Sequence, residues 1–207
     1  GMFTDSDINE SVTAIEEATV TNAEEFKLLE TTHFIYFYST LNNKCFTFNS
    51  KGRNTTNGRY LGVKGLNLDG TMDVVATDAN ELKNIWKLEY VDGKYFRLKN
   101  IAYDVYSKTT SEKVLAGNTT LRTTSQSKDA GLFFIKAQEN GTVSIGADGG
   151  NYSFLHESNW PGHEIVRWEA LPNGAASQWT ATGVAEPELC SITYNNVYEG
   201  NNKQPDK

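Results

Sequence analysis

The sequence predicts an all-β domain in which a four-stranded unit is used three times, giving twelve strands in three pseudo-repeats with short N-terminal and C-terminal extensions. Three observations carry this. Trp86, Phe134 and Trp179 each open a strand-like run and recur after 48 and 45 residues, the mark of one supersecondary unit repeated because none buries its apolar face alone. The strong turn dipeptides Asp92-Gly93 and Asn140-Gly141 follow the first two of these aromatics at the same distance. The apolar fraction of 38% is heavy in aromatics, with ten Tyr, ten Phe and four Trp. Leu- and Ala-rich helical stripes are nearly absent, as in all-β proteins.

Taken in order, residues 1–31 are acidic and polar, and Asn22-Ala23-Glu24-Glu25 forms a capping box ahead of Phe26, Leu28 and Leu29. A short helix is expected in this N-terminal arm. The β domain is expected over residues 32–185. It opens with His33-Phe34-Ile35-Tyr36-Phe37-Tyr38 and a hairpin turn at Leu41-Asn42-Asn43-Lys44 into Cys45-Phe46-Thr47-Phe48. Matching hairpins fall at Lys87 to Leu98 and at Ile135 to Ile145. Each is followed by a short strand, at Tyr60-Leu61-Gly62-Val63, Ala102-Tyr103-Asp104-Val105 and Asn151-Tyr152-Ser153-Phe154. A further apolar stretch comes next, at Val74 to Thr77, Thr120 to Thr123 and Ile165 to Trp168. The extension over 186–207 holds one β-like run, Ser191-Ile192-Thr193-Tyr194, before a polar end.

A chain of 207 residues is long enough for one well-cored domain with extensions. Its formal charge of −7 repels phosphate backbones, which argues against nucleic acid or an anionic membrane as the main partner. No apolar run reaches the length of about 18 residues that a membrane span needs. Cys45 and Cys190 match no metal-ligand spacing; they are either bridged, tying the first strand region to the tail, or two unlinked thiols. Asn9, Asn54, Asn118 and Asn151 stand in glycosylation sequons, which mark surface loops in a secreted protein and arise equally by chance in a chain rich in Asn and Thr. Gly1 ahead of Met2 reads as a cloning remnant, so an export signal is expected to have been removed.

The units resemble those of a β-trefoil of the ricin-B type, the fold also used by family 13 carbohydrate-binding modules, in which a repeat carries Cys-Leu-Asp-Val, an aromatic near the end of a later strand, and a closing Gln-x-Trp. The resemblance spans about Thr32 to Ala185. The first unit has Gly62 at the carboxylate position and closes with Asn84-Ile85-Trp86. The second keeps a carboxylate in Tyr103-Asp104-Val105, has Thr123 where the aromatic belongs, and closes with Phe133-Phe134. The third has Ser153 at the carboxylate position, keeps the aromatic as Trp168, and closes with Ser177-Gln178-Trp179.

A pyranose offers an apolar face to an aromatic ring and hydroxyls to polar side chains, whose burial without partners costs about 1 to 3 kcal/mol. Asp148, His156, Trp160, His163 and Trp168 in the third unit, with Asp104 in the second, supply these groups and are the candidate ligand-binding residues. The segment from His156 to His163 is long, polar and aromatic-bearing, which suits a binding loop. His156 and His163 match no zinc signature, and the calcium-loop pattern is absent around Asn67, Asp69 and Asp73, where an Asp-Gly turn suffices. No nucleophile motif, phosphate-binding glycine loop or dinucleotide fingerprint is present. The expected function is therefore a noncatalytic carbohydrate-binding module of an exported or surface protein, periplasmic or extracellular, needing no metal or cofactor. Its partner would be a polysaccharide or other glycan. The alternative is a protein-interaction or structural trefoil with decayed sugar sites, with residues 49–58 or 108–119 as the contact loop.

Overall fold

The computed structural model describes residues 38–52, 59–77, 81–113, 119–147, 153–159, 162–168 and 174–188. The predicted N-terminal helix, the run His33 to Phe37, the tail run Ser191 to Tyr194 and Cys190 lie outside the described residues. Among the described residues, twelve strands form one antiparallel sheet: β1 Cys45–Ser50, β2 Tyr60–Leu66, β3 Met72–Thr77, β4 Trp86–Asp92, β5 Tyr95–Asn100, β6 Val105–Lys113, β7 Thr119–Thr124, β8 Phe133–Ala137, β9 Val143–Ala147, β10 Ser153–Glu157, β11 Ile165–Trp168 and β12 Trp179–Val184.

Six of these close into a barrel. β1 pairs with β4, β4 with β5, β5 with β8, β8 with β9, β9 with β12, and β12 with β1. Closure leaves these six strands no open edge. The other six are three hairpins at one end, linked across the pseudo-three-fold axis by the β11–β7 pairing, the Val75–Glu164 bridge and a bond from Met72 N–H to Thr123 Oγ1 of 2.8 Å. Each unit is thus a barrel strand, a hairpin and a second barrel strand, and a 3-10 turn precedes β4, β8 and β12. The fold is a β-trefoil.

The three-fold relation is recorded in the barrel register. Phe46 pairs with Trp86, Phe96 with Phe133, and Val143 with Trp179, and all six are fully buried. The aromatic equivalent to Trp86 and Trp179 is therefore Phe133, one residue before the Phe134 that the sequence spacing picks out. Trp86 and Trp179 each donate their indole N–H to a backbone carbonyl of the hairpin beneath, Leu61 at 2.8 Å and Leu155 at 3.2 Å. Phe133 has no such donor, and in that unit the Gly131 N–H reaches the Ser107 carbonyl at 2.9 Å instead.

The hairpins at Asp92-Gly93 and Asn140-Gly141 form as expected, their glycines at φ 54° and 79° where a Cβ would be strained. The second strand of the first predicted hairpin, Cys45 to Phe48, is paired elsewhere: β1 has β12 and β4 as its neighbours. Residues 38–40 form a helical turn. Tyr38 plugs the barrel against Phe96, ring centroids 5.8 Å apart, and its hydroxyl donates to the Ile135 carbonyl at 3.4 Å. The repeat consequently starts one strand later than the sequence implies, and Trp179–Val184 completes the twelve. Two other expectations shift: Ile101 to Asp104 is a turn, with β6 beginning at Val105, and residues 108–113 belong to β6 where a loop was expected. Cys45 is a buried free thiol, its pKa raised by desolvation and by Glu186.

Replacing Trp179 by Ala should cost about 3 to 5 kcal/mol, and Trp179→Phe about 1 to 3 kcal/mol for the stranded Leu155 carbonyl. Urea unfolding followed by far-ultraviolet circular dichroism measures both; equal, sub-kilocalorie losses would show that the ring does not anchor the barrel.

Candidate glycan site on the third unit

The indole bonds fix which positions correspond between units. Leu61 and Leu155 play the same part, so the next residues, Gly62 and His156, stand at one level. The strand register carries this across each hairpin: Gly62 faces Val75, Lys108 faces Arg122 and His156 faces Val166. Two residues further on stand Thr77, Thr124 and Trp168. The residue two before the closing indole is Asn84 in the first unit and Ser177 in the third, each in a 3-10 turn.

In the third unit these positions meet. The His156 ring stacks on Trp168 with centroids 5.2 Å apart and planes at 25°, and its Nδ1 lies 2.7 Å from Ser177 Oγ. Ser177 is buried, and His156 and Trp168 are half-buried. Gln178 is held from outside the unit, its Oε1 accepting from Asn140 Nδ2 at 2.8 Å. The result is an indole and an imidazole fixed side by side, with an apolar surface beside hydrogen-bonding groups. The first unit closes the same space on itself: Thr77 Oγ1 donates to Asn84 Oδ1 at 2.5 Å, and a Cβ on Gly62 would lie 2.4 Å from that oxygen. No aromatic stands at this level in the first or second unit.

Several expected site residues are placed elsewhere. The register puts His156, not Ser153, at the carboxylate level of the third unit, and Lys108, not Asp104, at that of the second. Asp104 lies in the turn before β6 at φ 54°, exposed, its Oδ1 accepting from Lys99 Nζ at 2.8 Å. His163 is not brought to His156 and Trp168. It lies at φ 46° with its carbonyl accepting from Ala76 N–H at 2.8 Å, and its Nδ1 is 3.2 Å from the Ser158 carbonyl and 3.6 Å from the buried Glu157, on the opposite face of β10 from His156. Asp148 and Trp160 lie outside the described residues. Asn67, Asp69 and Asp73 serve the β2–β3 turn: Asp69 accepts from Thr71, which holds its pKa below the usual value, and Asp73 binds Asn67 and Arg122. Ser177 went unrecognised as a site residue. The signal for it was the recurrence of aromatic-Leu, Tyr60-Leu61 and Phe154-Leu155, at 25 and 24 residues before the indoles they bond.

No family model and no curated protein matches the chain. Solved structures do. A designed three-fold symmetric protein, ThreeFoil, aligns with a TM-score of 0.56 at 12% identity over 68% of this chain and 99% of its own. The ricin B-like lectin of Macrolepiota procera, in complex with lactose, aligns at 0.52 and 17% over 68% of this chain and 96% of its own. The Polyporus squamosus lectin aligns at 0.54 and 17% over 68% of this chain, which spans only 49% of that lectin. The neighbours therefore include ricin B-like and other β-trefoil lectins, and at these identities the likeness is one of fold. No helix among the described residues is long and apolar enough to cross a membrane.

The Lys99 pKa is raised, chiefly by its hydrogen bond to Asp104. Being raised, it adds stability below the unfolded-state value of about 10.4 that fades at higher pH. Asp104→Asn should return the Lys99 pKa towards its ordinary value while changing stability by less than about 1 kcal/mol, as for an exposed pair. Nζ titration by NMR measures the first and urea unfolding the second; an unmoved Lys99 pKa would contradict the assignment.

Proposed function

We propose that this chain is a noncatalytic carbohydrate-binding module of an exported or surface protein, binding glycan on the outer face of its third unit. The single observation behind this is the His156–Trp168 stack tied to Ser177, standing at the level where the other units carry Gly62 with Thr77 and Lys108 with Thr124. The exposed part of the indole would take the C–H face of a sugar, with His156 and neighbouring polar groups meeting its hydroxyls. Trp160 and Asp148, close in sequence, would complete the pocket. Trefoil neighbours crystallised with lactose and with a sialylated trisaccharide support the reading by analogy of fold. Millimolar to micromolar binding, about 4 to 8 kcal/mol per site, is expected, and attachment would be strengthened by multiplicity.

A second reading, a protein-interaction trefoil, is favoured by the β2–β3 hairpin tip, where Leu66 and Leu68 are 70% and 110% exposed. A glycan array of the folded protein separates the two. Hits lost in both Trp168→Ala and Trp160→Ala, with circular dichroism unchanged, are the expected result; a blank array would overturn the glycan reading.

A further inference from the structure

On that reading of Trp168, the same face of the sheet carries more aromatic surface than one sugar needs. Phe134 on β8 pairs with Gly146 on β9, Gly146 with Phe154 on β10, and Phe154 with Trp168 on β11. Residues paired in this way point to one face of the sheet and form a row across the strands. The Phe96–Phe133 pairing extends the row to β5 by setting Tyr95 beside Phe134, ring centroids 6.2 Å apart and nearly perpendicular. Phe134 meets Phe154 at 5.9 Å in the same edge-to-face manner. Gly146 makes this possible, since a Cβ there would lie 2.1 Å from Phe134 Cζ. Phe154 is buried as a base, while Tyr95, Phe134 and Trp168 are half-buried. Five strands at the usual spacing make the row roughly 19 Å long.

Two cations sit along it. Lys94 Nζ lies 4.0 Å from the centre of the Phe134 ring and 5.7 Å from that of Tyr95. Lys136, two residues beyond Phe134 on β8, shares its face and is exposed. Neither forms an ion pair among the described residues. In a chain of net charge −7, an aromatic row carrying two ammonium groups without a carboxylate partner among the described residues selects its ligand by charge as well as shape.

We propose that this row is an extended platform for a linear glycan bearing carboxylate groups. Its sugar faces lie along Trp168 and Tyr95, and its acid groups meet Lys94, held over the Phe134 ring, and Lys136. Continuity with the Trp168 site favours a sugar chain over a peptide, and the lysines favour a uronate chain over a neutral one.

The test is calorimetric titration with oligogalacturonates and hyaluronan fragments of one to about six sugars, with galactan and chitin fragments as neutral controls. Affinity for the acidic series should rise about tenfold or more with length, each added aromatic contact contributing a few-fold. Tyr95→Ala should flatten that rise and leave single-sugar affinity unchanged. Lys94→Gln should weaken the acidic series alone, and circular dichroism confirms that both variants fold. Binding that depends on Trp168 but not on length overturns the platform and leaves the single-sugar site standing. Equal rises for neutral and acidic chains overturn the assignment to an acidic ligand. Failure of all oligomers to bind, with array hits retained, overturns the platform alone; failure of both overturns the site as well.

Discussion

Six side chains, Phe46, Trp86, Phe96, Phe133, Val143 and Trp179, meet in pairs across the barrel strands with no surface left to solvent. Everything else in the structure is arranged around that packing. The pairs set the register between the two barrel strands of each unit, and two of the indoles reach down to bond the hairpins that cap the barrel. Tyr38 and Leu41 join the same core from outside the repeat, so residues 38–41 are packed as a plug and not paired as a strand. A closed barrel tolerates little change here, because a lost ring leaves a cavity with no neighbouring edge to collapse onto.

The outer faces are under no such constraint, and there the three units have diverged. The first fills the space between hairpin and 3-10 turn with a Thr77–Asn84 bond, while the second has no aromatic at the equivalent level. The third holds an indole and an imidazole in contact, and the row through Phe154 and Phe134 continues from them. A scaffold symmetric inside and asymmetric outside can carry one site on a framework built to carry three.

The period, the twelve strands and the tight turns were legible because they rest on local chemistry: aromatics that must be buried and glycines that must turn. Phase was not. His33 to Tyr38 has the composition of a strand, and only the pairing of β1 with both β4 and β12 marks Cys45–Ser50 as the strand that opens the barrel. Phe134 and Phe133 are equally aromatic, and only pairing with Phe96 tells which faces the barrel. Site residues suffered from the same ambiguity. Trp168 and His156 were recognised as sugar-binding types, but aligning the third unit on Ser153 placed the polar position three residues early and hid the link to Ser177. Asp104 was chosen for its chemistry and sits in a turn that takes it out of register with the third unit's site.

The central claim is that glycan meets Trp168 while Trp86 and Trp179 serve the core. The most direct measurement is an NMR titration of the indole N–H signals, assigned by single Trp→Phe variants, with a glycan found to bind. The Trp168 signal should move in proportion to occupancy while those of Trp86 and Trp179, already bonded to Leu61 and Leu155, stay in place. Saturation with no change at Trp168 would contradict the account.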